Sequence, residues 1–171
     1  MRAALPDPLT DAGHRFTGTL YRALNPVWMR QPLSGEGARR HGGRFNARGT
    51  AALYTALTPE GAMQEANQAG RPFEPVTLIA YEADLGPVLD ATMPGPDRPD
   101  PAVLAADDWR LQMQDRGASD GQTLAARLIA AGWVGMIVPS YARGVAPGAR
   151  NLVLWHWQDG LRVIDSEGRL K

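Results

Sequence analysis

The sequence contains no cysteine among its 171 residues, and it has only one lysine and three histidines. The lack of cysteine excludes disulfide scaffolds, thiolate-ligated zinc, iron–sulfur clusters and thiol nucleophiles. The histidines, His14, His41 and His156, do not have the spacing of metal-ligand motifs, so we expect no metal site. Eighteen basic residues balance eighteen acidic ones, so a protein that binds nucleic acid or anionic membranes through its net charge is not expected.

The chain also lacks a long hydrophobic run, so we expect no transmembrane helix. The segment Met1–Pro8 lacks the apolar region of a signal peptide, and the expected location is therefore the cytoplasm. Hydrophobic residues make up 44% of the chain and charged residues 21%, which is typical of a globular protein. The length predicts one domain over residues 1–171.

The segment Met29–Thr50 is rich in arginine and glycine. It holds five arginines against one glutamate, and glycine recurs at positions 35, 37, 42, 43 and 49. This composition predicts a basic loop system with a short helical turn around Gly37–His41. Glycine allows close backbone approach and arginine binds phosphate oxygens in pairs, but a solvated charged loop explains the same pattern. Neither a P-loop nor a dinucleotide-fold fingerprint is present.

Most apolar segments have the pattern of strands. The predicted strands are Thr19–Leu24, Ala51–Ala56, Val76–Leu85, Met136–Val138, Leu152–Gln158 and Leu161–Asp165. Asp159-Gly160 predicts a two-residue hairpin turn between the last two of them. Trp155 and Trp157 alternate with His156, so we expect both rings on one face, packed in the core.

Helices are fewer. Thr58 as N-cap and Pro59 at the first helical position predict a helix to about Gln68, ended by Gly70. Two more helices are predicted over Ala106–Arg116 and Gln122–Ala131, and loops over Pro94–Pro101 and Val145–Arg150. Because strands outnumber helices and do not alternate with them, we predict an α+β fold with mixed, mostly antiparallel sheets.

Four polar or aromatic positions are candidates for chemistry, each with an ordinary structural alternative. Glu65 has small and apolar neighbours on its predicted helix, which indicates a packed face, although an exposed helical glutamate is commoner. Tyr54 is either a core aromatic or a ring for stacking. Ser140 is not in a GxSxG elbow, so it is not interpreted as a hydrolase nucleophile. Ser140 and Asn151 are both consistent with turn residues.

Taken together, the sequence resembles the RES-domain toxins of RES–Xre toxin–antitoxin pairs, over roughly residues 18–164. The resemblance is carried by an ordered set of segments: Leu20–Ala23, Trp28, Pro32–Ala38, Gly42–Asn46, Gly49, Leu53–Ala56, Ala62–Glu65, Val138–Ser140, Asn151-Leu152 and Trp155.

The resemblance implies a fold similar to the diphtheria-toxin type of ADP-ribosyltransferase and an activity on NAD. It implies Glu65, Tyr54 and Arg44 as catalytic residues. The NAD-binding residues that we predict beside them are Arg22, Arg44, Tyr54, Ser140, Phe45 and Asn151. NAD would be a consumed substrate, so no cofactor and no metal are expected. This fits the chemistry, because nicotinamide–ribose cleavage develops positive charge that a carboxylate stabilises.

Three functions remain open at this stage. The first is a toxin that cleaves NAD and passes ADP-ribose to water or phosphate. The second is a mono-ADP-ribosyltransferase that modifies a cellular protein. The third is a non-catalytic module that binds a nucleotide or phosphoprotein through the basic loop. The resemblance also implies an Xre-type DNA-binding antitoxin as partner, with no direct contact between this chain and nucleic acid.

Overall fold

The computed structural model describes residues 14–69, 74–93, 95–96, 98–165 and 168. Seven strands and five helices lie within these residues: β1 (Phe16–Leu24), α1 (Glu36–His41), β2 (Leu53–Ala56), α2 (Pro59–Ala69), β3 (Thr77–Leu85), β4 (Val88–Asp90), α3 (Pro101–Ala105), α4 (Trp109–Arg116), α5 (Asp120–Ala130), β5 (Gly135–Pro139), β6 (Arg150–Leu154) and β7 (Leu161–Val163). A short 3₁₀ turn covers Pro26–Trp28.

All seven strands belong to one sheet, in the order β4–β5–β6–β2–β1–β3–β7. The neighbouring strands are antiparallel except β4 and β5, which are parallel. The longest ladder joins β1 and β3, from Phe16 opposite Leu85 to Leu24 opposite Thr77. The prediction of an α+β fold with mostly antiparallel strands is confirmed.

Each face of the sheet has its own hydrophobic core. One face, here called the α5 face, packs Met136, Val138 and Val153 against Leu124 and Leu128 of α5. The opposite face buries a second cluster from β1, β2, β3, β5 and β6: Leu20, Leu53, Ile79, Tyr81, Ile137, Leu152 and Leu154. Successive side chains of a strand point to opposite faces, so the pairing register assigns every other strand residue to one of these two sides.

Several predicted elements are confirmed by the structure. Helix α2 begins at Pro59, and the Gly61 N–H donates a hydrogen bond of 3.0 Å to the Thr58 hydroxyl, as an N-cap requires. Its predicted end at Gly70 lies outside the described residues. Helix α5 begins after Ser119, whose side chain forms a reciprocal capping box with Gln122.

Other predictions at the C-terminal end of the chain are wrong. Strand β6 ends at Leu154, so Trp155 and Trp157 do not alternate along a strand. Both rings are buried in the core as expected, but Trp155 belongs to the α5-face cluster and Trp157 to the opposite one. No hairpin forms at Asp159-Gly160, because β7 pairs with β3 rather than with β6.

Between residues 88 and 116 the chain contains more structure than predicted. Strand β4 has no sequence signal of its own, since it is only three residues long. The helix predicted over Ala106–Arg116 is present as α4 but begins later, at Trp109. Helix α3, over Pro101–Ala105, is a separate short helix that the sequence did not predict. Asp100 caps α3 by accepting a hydrogen bond from the Ala102 N–H. The loop predicted over Pro94–Pro101 therefore ends before Pro101, the first residue of α3. No helix in the described part of the chain is both long and apolar enough to cross a membrane.

Candidate active site

The carboxylate of Glu65 is held by two side chains from elsewhere in the sequence. Its Oε1 accepts a hydrogen bond of 2.7 Å from the Ser140 hydroxyl and one of 2.6 Å from the Asn151 amide nitrogen. All three residues are partly buried. Oε2 receives no hydrogen bond from a described residue, so within the described part of the chain the carboxylate is held through one oxygen.

The topology of the sheet explains why these residues meet. Asn151 of β6 lies opposite Val138 of β5, and the Ser140 N–H continues this ladder by donating to the Ala149 carbonyl. On its other side Asn151 lies opposite Ala56 of β2, and α2 follows β2 after only two residues. Glu65 is therefore carried by α2 over the end of the two strands that hold its donors.

Tyr54 of β2 lies on the same face of the sheet as Asn151, because it is paired with Val153, two residues further along β6. Its hydroxyl donates 2.7 Å to Asn46 Oδ1 and accepts 3.0 Å from the Phe45 N–H. Burial raises the pKa of Tyr54 well above its usual value, although the Phe45 N–H and the Arg44 charge act in the opposite direction. The hydroxyl is thus a neutral anchor, while the residue as a whole remains 36% exposed through its ring.

Arg44 is fixed by backbone carbonyls and by an aromatic ring. Its Nη1 donates to the carbonyls of Ala106, at 2.7 Å, and of Leu104, at 3.3 Å, at the end of α3. A cation at a helix C-terminus is electrostatically favourable. The guanidinium carbon lies 5.2 Å from the ring centroid of Tyr141, within the range of a cation–π contact. Nε and Nη2 donate no hydrogen bond to a described residue, but Nη2 lies 4.0 Å from the carboxylate of the exposed residue Asp107.

These contacts connect the three predicted catalytic residues. Tyr141 directly follows Ser140, which holds Glu65, and its ring lies against Arg44. Arg44 is followed by Phe45, whose N–H binds Tyr54. The charge of Arg44 also lowers the pKa of both Tyr54 and Tyr141, against the larger effect of burial. The structure therefore brings Arg44, Tyr54 and Glu65 into one connected set of contacts on the α5 face.

Tyr141 was not identified from the sequence. It is 36% exposed, and burial raises the pKa of its hydroxyl while Arg44 lowers it. The only local signal was its position after Ser140, and nothing in the sequence indicated that a residue 97 positions earlier would stack on it.

Two of the predicted NAD-binding residues are not placed with this group. Arg22 lies opposite Ile79 in the β1–β3 ladder, so its side chain is on the opposite face, where it donates to the carbonyls of Pro32 and Ser34, both at 3.4 Å. Phe45 is only 2% exposed, because its ring belongs to the α5-face core. Its side chain has no surface for a ligand, and its backbone instead binds Tyr54 and Trp155.

Three other arginines of the basic loop make contacts within the loop itself. Arg39 and Arg40 both bind Glu36, with N–O distances of 2.7 and 2.9 Å, and these hydrogen bonds lower the pKa of Glu36 to about 2. Arg48 donates to the carbonyl of His41. The predicted helical turn is present as α1.

A surface cavity of about 520 Å³ opens beside Ser140. It is lined by Thr92, Pro139, Ser140 and residues 145–150. Since Ser140 also binds Glu65, a molecule in this cavity would lie next to the donor that fixes the carboxylate. The described residues include no group of three side chains that could hold a metal ion.

Comparison with known proteins agrees with the architecture. The fold is similar to a solved structure, the MbcT–MbcA toxin–antitoxin complex of M. tuberculosis, with a TM-score of 0.68 and 24% identity over 88% of this chain and 83% of that one. No curated protein sequence matches the chain. Residues 19–170 match the RES domain, and the protein therefore belongs to the RES domain family.

Proposed function

We propose that this chain is the toxin of a toxin–antitoxin pair and that it cleaves the nicotinamide–ribose bond of NAD. ADP-ribose would pass to water or phosphate. The observation that carries the proposal is the Glu65 carboxylate, fixed through one oxygen by Ser140 and Asn151 and connected through Tyr141 to Arg44. Such a half-anchored carboxylate suits a reaction in which positive charge develops on a sugar ring.

In the proposed reaction the bond between ribose C1′ and the nicotinamide nitrogen breaks, and its electron pair leaves with nicotinamide. The ribose becomes oxocarbenium-like, and Glu65 stabilises the developing charge. The free Oε2 accepts a hydrogen bond from a ribose hydroxyl, while Ser140 and Asn151 prevent the carboxylate from rotating. The oxygen of water or phosphate then bonds to C1′, and a water nucleophile releases one proton.

Tyr54 and Arg44 would bind the two groups attached to the reacting ribose, nicotinamide and pyrophosphate. The exposed ring of Tyr54 offers a flat surface for the nicotinamide ring. Arg44 uses its carbonyl-bound Nη1 for orientation and would bind the pyrophosphate through Nε and Nη2 in a bidentate manner. The pyrophosphate would then replace the exposed Asp107 carboxylate, which lies 4.0 Å from Nη2. NAD is a substrate in this scheme, and no step requires a metal.

The first test is nicotinamide release from NAD by wild type and by Glu65→Gln, a change that keeps the shape and an acceptor oxygen but removes the charge. We expect a loss of about 10²–10³-fold in rate, as for the removal of a key electrostatic stabiliser. Glu60→Gln is the matched control, because Glu60 is an exposed residue of the same helix. Equal rates for wild type and Glu65→Gln would remove Glu65 from the chemistry.

The acceptor is tested separately with labelled NAD in a cell lysate. Free ADP-ribose or its phosphorylated form supports NAD destruction, whereas a discrete labelled protein band supports mono-ADP-ribosylation. Saturable NAD binding without any product would instead indicate a binding module.

The proposed partner is an antitoxin, since the similar fold of MbcT occurs in a toxin–antitoxin complex. The resemblance to RES–Xre pairs implies that this antitoxin is an Xre-type DNA-binding protein. Expression of this chain alone should arrest growth, and co-expression with the product of the neighbouring gene should restore it. Normal growth during strong expression of the chain alone would contradict the toxin proposal.

A further inference from the structure

Gln122 of α5 is a buried amide that makes two hydrogen bonds to the turn carrying Arg44. It is only 2% exposed, and its Nε2 donates 3.0 Å to the Gly43 carbonyl and 3.1 Å to the Asn46 carbonyl. The same nitrogen also lies 3.3 Å from the Met113 sulfur, a weak acceptor, so the two shorter contacts of this amide hold both ends of the Gly43–Asn46 turn.

The same turn is fixed from its other sides. The Trp155 indole donates 2.9 Å to the Phe45 carbonyl, and the Tyr54 hydroxyl accepts from the Phe45 N–H. A Cβ at Gly121 would lie 2.6 Å from the Arg44 carbonyl, so α5 packs directly on the turn with no room for a side chain. Asn46, which is fully buried, binds the Tyr54 hydroxyl and the carbonyls of Ala38 and Thr50.

We infer that Gln122 is a positioning residue for NAD binding, acting through the Gly43–Asn46 turn on Arg44. This inference depends on the proposed function and adds a residue to it. Among the described residues, the contacts of the Arg44 side chain are made by its guanidinium, so the backbone of this turn sets the position from which the side chain starts. A turn released from Gln122 would leave Arg44 directed less accurately at the pyrophosphate.

Gln122 also has a purely structural task, which must be separated from the proposed one. Its Oε1 accepts a hydrogen bond from the Ser119 N–H and so completes the capping box of α5. Glutamate is equally suited to this capping position. The variant Gln122→Glu therefore keeps the cap and loses both donors to the turn, whereas Ser119→Ala weakens the cap and keeps those donors.

The experiment measures KM and kcat for nicotinamide release at a temperature where circular dichroism shows each variant to be folded. For Gln122→Glu we expect KM for NAD to rise about tenfold with little change in kcat, because pyrophosphate contacts bind ground state and transition state alike. Ser119→Ala should lower the thermal midpoint by about 2–4 °C and leave KM unchanged.

A double-mutant cycle provides the readout that a merely structural role would not give. In an Arg44→Ala background, Gln122→Glu should raise KM no further, since the residue through which it acts is gone. Gln122→Met, which lacks both the donors and a carboxylate, is the second variant and should give the same KM rise.

Three results would overturn the inference. The first is an unchanged KM for NAD in both folded Gln122 variants. The second is a KM for NAD that rises as much when Gln122→Glu is added to Arg44→Ala as when it is added to wild type. The third is failure of both Gln122 variants to fold. A wild-type protein that releases no nicotinamide would instead contradict the proposed function, so the two failures are distinguishable.

Discussion

The substitution Tyr54→Phe tests whether the Tyr54 hydroxyl is an anchor or a chemical group. The change keeps the ring and removes two hydrogen bonds, to Asn46 Oδ1 and from the Phe45 N–H. Both partners belong to buried residues, at 0% and 2% exposure. An unsatisfied buried polar group costs about 1–3 kcal/mol, so the pair would cost about 2–6 kcal/mol in the free energy of unfolding.

The half-exposed ring lets some water approach, so we expect the lower half of that range, about 2–4 kcal/mol. For a chain of this length the thermal midpoint should fall by roughly 4–16 °C. Scanning calorimetry measures this, with Tyr141→Phe as the control, since the Tyr141 hydroxyl makes no hydrogen bond with a described residue. A Tyr54→Phe variant as stable as wild type would refute the anchoring role.

Tyr54→Phe also gives a kinetic prediction. In the wild-type protein, burial raises the pKa of the Tyr54 hydroxyl and both of its hydrogen bonds are internal, so we do not expect this hydroxyl to transfer a proton in the reaction. Nicotinamide release by folded Tyr54→Phe should stay within about tenfold of wild type, whereas loss of a general acid or base costs about 10²–10⁴-fold. A loss of that larger size would show that the hydroxyl takes part in the chemistry.

Two further predictions follow from the aromatic side chains. Tyr141→Ala should raise KM for NAD about 2–5-fold, because it removes a cation–π contact worth about 0.5–1 kcal/mol. Tyr141→Phe keeps the ring and should leave KM unchanged. Equal KM values for the two variants would contradict the stacking of Tyr141 on Arg44. Burial raises the pKa of Tyr54, Tyr81 and Tyr141, so the folded protein keeps protons that the unfolded chain loses near pH 10. Their contribution to stability should be complete below that pH and be lost as the pH rises above it. Urea unfolding at increasing alkaline pH measures this decline, and Tyr54→Phe should make it shallower; an identical decline in the two proteins would contradict the assignment to Tyr54.

The predicted fold class followed from local patterns that the structure keeps. The β-favouring residues of Val76–Leu85, which contain β3, and the Thr58-Pro59 start of α2 act within a few residues, so both elements could be predicted from the sequence. The partner of β7 could not be predicted in this way. A turn at Asp159-Gly160 is compatible with a hairpin, but pairing with β3 across the sheet depends on long-range packing.

The candidate site shows the same division. Arg44, Tyr54 and Glu65 were identified as an ordered set through their resemblance to a family, and the contacts connect them. Arg22 and Phe45 matched or adjoined the same motifs, but strand register and burial direct their side chains elsewhere. Gln122 and Tyr141 could not be found, because each meets its partners across more than 70 positions of chain.

The most direct test of the account is a product balance for the purified wild-type protein incubated with NAD alone and with NAD plus phosphate. The account predicts one nicotinamide released for each NAD consumed, with ADP-ribose or its phosphorylated form as the other product. Saturable NAD binding with no nicotinamide released under either condition would contradict it.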